Sequence, residues 1–99
     1  MPHENFFNEG EMKVTVTAKD VARCVSFKPG DKFVVEKNEV LLGESDKVCT
    51  YALSSFLPII TAVLKGASFA DFGLGDDHVG ALRCIDACGG VVFELRKSE

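Results

Sequence analysis

The stretch ESDKVCTYALSSFLPIITAVLKG, residues 44–66, decides the fold. Its apolar positions recur at helical spacing, while the runs on either side of it alternate or cluster as strands do. Cys49, Ala52, Phe56, Ile59, Ile60 and Val63 fall on one stripe of such a helix. Glu44, Ser45 and Asp46 offer the acidic groups and hydroxyl that satisfy free N–H groups at a helix start. Gly66 offers the stop. The spacing predicts a helix over residues 47–65. Pro58 lies inside it and predicts a kink, or a split into two short helices with Pro58 in the first turn of the second.

Upstream, residues 12–17 (MKVTVT) alternate apolar and polar with β-branched side chains, the pattern of a half-buried strand with Met12, Val14 and Val16 facing inward. Lys28-Pro29-Gly30-Asp31 is turn chemistry leading into a second strand at residues 32–37. Asn38-Glu39 reads as a tight turn into a short third strand at 40–42. Downstream, residues 66–80 hold four of the nine glycines and read as a loop pinned by Phe69 and Phe72. Strands at 81–86 and 91–96 follow, joined by a hairpin turn at Ala87-Cys88-Gly89-Gly90. The order β-β-β-α-β-β defines an α+β class: a small, mostly antiparallel sheet packed on one kinked or split helical segment. Residues 1–11 read as a flexible lead-in, with Phe6 and Phe7 available for docking, and residues 12–99 as a single domain.

Composition sets bounds. The 99 residues suffice for one modest core, and 46% hydrophobic with 26% charged residues is globular usage. Eight Phe against one Tyr and no Trp place most aromatic mass where no polar handle is needed, which favours a dry core. The longest apolar run, residues 56–64, contains Pro58 and Thr61 and falls far short of a membrane span. The net charge of −4 and the scattered lysines and arginines form no basic stripe, which argues against nucleic acid as a partner. The lead-in has neither a basic n-region nor an apolar h-region, so a cytoplasmic location is expected.

The chemistry-bearing feature is a set of four dispersed cysteines, Cys24, Cys49, Cys84 and Cys88. In a reducing compartment such a set reads as free thiols, a metal site or a redox site before it reads as a disulfide framework. Three readings compete. Cysteine packs well as a small hydrophobe, and Cys49 lies on the apolar stripe while Cys84 shares a strand face with Leu82. Four thiolates can equally hold zinc or an iron–sulfur cluster, although no C-x2-C knuckle is present and Cys84-x3-Cys88 is a less usual spacing. Three converging cysteines would leave a coordination position open for a ligand. Lastly, Cys88 in a glycine-rich turn, with Cys84 near it, suits thiol redox chemistry.

The contexts of three cysteines carry a resemblance. Cys24-x-x-Phe27-x-x-Gly30-Asp31-x-Phe33, then Cys49-x-Tyr51-Ala52 with Phe56-Leu57-Pro58, then Cys84-x-Asp86 before Val91-Val92-Phe93 are similar to a family of short, uncharacterised bacterial and archaeal proteins built on three such cysteines. The similarity spans roughly residues 12–96. It departs at Ile85 and Gly90, where that family often has proline, at Tyr51, where it often has tryptophan, and at Cys88, which lies outside its pattern. The resemblance implies a grouping of Cys24, Cys49 and Cys84 and carries no activity.

Other candidates have simpler explanations. Asp76-Asp77-His78 can bind a divalent cation or work as an acid–base pair, but solvated loop charge is commoner. Asp86 can act as a base or cap the hairpin turn. Gly73-x-Gly75 lacks the strand and helix that a phosphate loop needs. With only two histidines, one of them His3 in the lead-in, no Ser-His-Asp set is legible. The expectation is a small binding module rather than a stand-alone enzyme, with Cys24, Cys49, Cys84 and Cys88 as metal ligands for zinc or an iron–sulfur cluster. The competing expectations are a protein-interaction or accessory domain with structural cysteines, and then a thiol redox protein. A homodimer through the sheet face that the helix leaves uncovered is also expected.

Overall fold

The computed structural model describes residues 12–21, 27–83 and 91–98. Within them, β1 (Lys13–Val21), β2 (Lys32–Glu36), β3 (Glu39–Val40), α1 (Thr50–Leu64), β4 (Val79–Arg83) and β5 (Val91–Ser98) follow one another in chain order. The α+β class and the element order are those expected. The five strands form one antiparallel sheet in the order β3-β2-β1-β5-β4. The first and last strands are thus central neighbours, and the chain closes on itself across the middle of the sheet.

Alternation along β1 sorts its side chains between two faces. Val14, Val16 and Ala18 are fully buried, with Phe33 and Val35 of β2 and Val91, Phe93 and Leu95 of β5 on the same side. Helix α1 covers this face with Ala52, Phe56, Ile60, Val63 and Leu64. The ring of Phe93 is the centre of the packing: Phe27 and Phe56 meet it edge-on at 5.1 and 5.3 Å. The opposite face carries Thr15, Thr17, Glu94 and Arg96, tied by ion pairs from Glu94 to Lys19 at 4.0 Å and to Arg96 at 3.5 Å. Val34 lies on this face as well, opposite Thr15, and is covered by the crossover that leads to α1.

Helix α1 is a single run through Pro58, starting three residues later than the sequence suggests. The polar trio that reads as its cap is used elsewhere. Glu44 ends a 3-10 turn over Leu42–Glu44 and pairs with Lys13 at 3.3 Å. The Ser45 hydroxyl donates to the Leu41 carbonyl at 2.7 Å and accepts the Val34 amide at 3.0 Å. Asp46 and Lys32 bond reciprocally: the Asp46 carboxylate accepts the Lys32 amide at 3.2 Å, and the Asp46 amide donates to the Lys32 carbonyl at 2.8 Å. These residues therefore fasten the crossover to the outer edge of β2. At its other end α1 closes as expected, with Gly66 at φ +115°, Gly66 N–H on the Val63 carbonyl and Ala67 N–H on the Ala62 carbonyl, a Schellman arrangement.

The turns show similar detail. Gly30 takes φ +94° and the Asp31 carboxylate accepts the Lys28 amide at 3.0 Å, so the turn over residues 28–31 forms as its residues dictate. The β2–β3 turn falls at Lys37-Asn38, one residue before the expected place, with Lys37 itself left-handed at φ 55°. Strand β3 consequently ends at Val40, and Leu42 points outward at 76% exposure. The stretch expected as a loop holds a second 3-10 turn, Phe69–Phe72, closed by a capping box in which Ser68 and Asp71 each accept the other's backbone amide. Phe69 is fully buried and pins this segment; Phe72, at 41% exposure, does not. Strands β4 and β5 pair antiparallel as expected, from Val79↔Arg96 to Arg83↔Val92, with β4 starting two residues earlier than the sequence suggests; the expected turn at residues 87–90 lies outside the described residues.

Leu41, Ser45 and Asp46 close the outer edge of β2 beyond β3, while Leu74 accepts the Ala81 amide at 3.1 Å and Gly75 bridges Gly80 outside β4. These contacts shorten the stretch of edge backbone open to edge-to-edge pairing.

Candidate thiolate site

Of the four cysteines, Cys49 lies among the described residues; Cys24, Cys84 and Cys88 fall outside them, as does Asp86. Cys49 is a free thiol in extended conformation (φ −97°, ψ 126°) immediately before the first turn of α1. Its carbonyl accepts the Leu53 amide at 2.9 Å, which starts the helix, and its side chain makes no capping hydrogen bond. The residue is half-buried and packs against the core. Serine or asparagine would cap this position more effectively.

The flanks of the remaining cysteines have a definite arrangement. Val21, the last described residue before Cys24, pairs with Val91, the first described residue after Cys88. Arg83, which directly precedes Cys84, pairs with Val92. The C-terminal ends of β1 and β4 and the start of β5 therefore lie side by side at one end of the sheet. Asp46, four residues before α1, is bonded to Lys32, which pairs with Thr17 at the middle of β1. Three strand ends that are distant in sequence, at Val21, Arg83 and Val91, thus lie side by side where the described fold is interrupted.

The remaining sequence candidates resolve into structural roles. The Asp76 carboxylate accepts the amides of His78 at 2.9 Å and Val79 at 2.8 Å, which shapes the turn before β4. Those two bonds, His78 first and then Val79, hold its carboxyl below the ordinary carboxylate range. Asp77 and His78 are exposed beside it. Among the described residues no group of three His, Cys, Asp or Glu side chains is placed to hold a metal ion. Gly73 is left-handed at φ 72° and closes the 3-10 turn, while Gly75 lies directly against the Val79 carbonyl oxygen. Lys28 is exposed and Lys32 half-exposed at the hairpin end.

One feature lay outside the sequence reading. A groove of about 330 Å³ runs between α1 and the β2–β3 hairpin, with Val35, Val40, Leu53 and Leu57 among its walls. Leu53, Leu57 and Thr61 stand four residues apart, a second helical stripe beside the main one, and that spacing was the available signal. Comparison with known protein families, with curated proteins and with solved structures finds no match. Among the described residues no helix is long and apolar enough to cross a membrane.

Proposed function

We propose that the protein is a small binding module whose Cys24, Cys49 and Cys84 form a thiolate site for zinc or an iron–sulfur cluster, with Cys88 available as a fourth ligand. The observation that supports this reading is the shared end of the sheet, where Val21 faces Val91 and Arg83 faces Val92. Covalent reach bounds how far the other three sulfurs lie from that end. Cys84 follows Arg83 directly, and Cys24 and Cys88 each stand three residues from a described strand end, a span of at most about 11 Å at about 3.3–3.6 Å per residue. Four thiolates are a donor set suited to a soft or borderline metal, and Cys49 presents a sulfur that the helix does not use as a cap. Such a metal would supply a cross-link between the helix start and three strand ends. With three sulfurs bound, its fourth position would accept a ligand.

The test is removal of one ligand. Cys49→Ser should release bound metal and lower the thermal midpoint sharply, and Cys24→Ser and Cys84→Ser should do the same. All three variants as stable as the parent protein, with or without added zinc, would contradict the proposal.

A second reading rests on the contact of Cys49 with the core. There the cysteines are packing residues and the domain is an accessory or interaction module. A protein partner or second copy meeting the helix-free face would find Thr15, Thr17, Glu94 and Arg96, a polar surface suited to transient contact. Thiols that react only after unfolding, in a metal-free protein, would select this reading.

A further inference from the structure

We propose that the groove between α1 and the β2–β3 hairpin is occupied by the chain's own N-terminal segment, with Phe6 and Phe7 seated against Val40, Leu53 and Leu57. The use of phenylalanine in this chain leads to that pair. Six of its eight phenylalanines lie among the described residues, and five of those (Phe27, Phe33, Phe56, Phe69 and Phe93) are at most 3% exposed. Phe6 and Phe7 stand side by side in an otherwise polar segment, with His3-Glu4-Asn5 before them and Asn8-Glu9-Gly10-Glu11 after. Each such ring buries about 150–250 Å² when it finds a cover, and an adjacent pair gains twice from leaving water. The groove has the complementary lack. Leu57 on its wall is 42% exposed and Leu53 only partly buried. Its volume of about 330 Å³ falls at the small end of pockets, which run from about 300 to 1,000 Å³, a size suited to a pair of rings.

The point where the described chain begins supplies an independent observation. Val14 pairs with Val35 and Lys13 with Glu36, so Met12 lies one position further on, level with Lys37, which lines the groove. Strand residues two apart share a face, and Val14 is buried on the face that α1 covers. Met12 therefore enters the sheet on the side of the groove, and it packs against the core there. Only β2 separates β1 from β3, so two strand spacings of about 4.8 Å put Met12 about 10 Å from the β3 wall. Phe7 and Phe6 precede Met12 by five and six residues, a reach of at most about 18 and 22 Å. That leaves slack for the chain to double back, and Gly10 is the place where a reversal is sterically cheap. A tether this short holds the rings at an effective concentration on the order of millimolar, enough to populate a contact too weak to hold a free peptide. So seated, the segment is a strap, and the groove opens when the strap is displaced.

The experiment is NOE spectroscopy on the full chain, labelled at its methyl groups and phenylalanine rings. Cross-peaks from Phe6 and Phe7 to the methyls of Val40, Leu53 and Leu57 are expected, at relative intensities that do not change on dilution. Phe6→Ala combined with Phe7→Ala should move the methyl resonances of those three residues and leave those of Val14, Val91 and Leu95 in place. Leu57→Ser, at a half-exposed wall position, should abolish most of the ring–methyl cross-peaks. Leu42→Ser, at a more exposed leucine outside the groove, should keep them. Absence of the cross-peaks, their appearance at Phe72 or another surface instead, their origin between differently labelled copies, or their full retention in Leu57→Ser would each overturn the proposal. Metal content has no bearing on this outcome, so the strap and the thiolate site fail or stand separately.

Discussion

The Val34 amide donates to the Ser45 hydroxyl at 3.0 Å, and that hydroxyl in turn donates to the Leu41 carbonyl, joining β2 to the crossover that leads into α1. One side chain thus holds both partners of a partly buried bridge, and Val34 beside it is 2% exposed. Ser45→Ala should cost about 1–3 kcal/mol, because the Val34 amide loses its acceptor in a site where water replaces it poorly. Urea denaturation of the variant beside the parent protein reads this directly. A change below about 0.5 kcal/mol, the usual range for surface substitutions, would show that the bridge is incidental.

Gly80 lies against the ring of Phe69. A methyl group added there would meet the Phe69 Cδ1 at 2.8 Å, and Phe69 is fully buried and has little room to yield. Gly80→Ala is expected to destabilise by about 1–3 kcal/mol, as overpacking does. Combining it with Phe69→Leu should cost less than the two single changes added together, since the smaller side chain makes room. Strict additivity in that double-mutant cycle would place the damage somewhere other than this contact.

The turn before β4 should be sensitive to acid. The Asp76 carboxyl is held below the ordinary value of 3.8 by the amides of His78 and Val79, so its charged form is favoured in the folded state. A depressed folded pKa contributes stability that is present above the unfolded value and disappears as pH falls through the folded one. Asp76→Asn keeps an acceptor oxygen for the two amides but does not titrate. The difference in stability between parent and variant should therefore shrink as pH is lowered from about 6 to about 2, as charge-dependent stabilisation requires. A difference that is constant across this range would mean that the charge of Asp76 contributes nothing.

Lys37 should tolerate replacement by glycine. Replacing it with glycine removes a left-handed side chain and is expected to leave stability unchanged or raise it by up to about 1 kcal/mol, once the greater backbone freedom of glycine is subtracted. A clear loss of stability on thermal denaturation would show that the Lys37 side chain supports the turn.

Much of this fold could be read from local pattern. The alternation of Val14 and Val16, the Pro29-Gly30-Asp31 turn and the stripe of Ala52, Phe56, Ile60 and Val63 all describe positions where side-chain period and burial agree. The misread stretch is instructive. Ser45 and Asp46 are good helix caps because they accept N–H bonds, and the same capacity lets them hold the amides of Val34 and Lys32. Only the position of β2 decides which amides they meet. The capping box of Ser68 and Asp71 was overlooked because the surrounding glycines dominate that stretch. For the thiolate site, the cysteines and their contexts were visible, but their grouping depends on the pairing of β1 with β5. That pairing joins the two ends of the chain, and no local pattern encodes it.

The central claim is that Cys24, Cys49 and Cys84 serve one site, and metal analysis of protein purified without oxygen tests it most directly. The account predicts a stoichiometric amount of zinc, or of iron with acid-labile sulfide, which Cys49→Ser loses. Protein that is free of metal, and that takes up neither zinc nor a reconstituted cluster while its thiols are reduced, would contradict it.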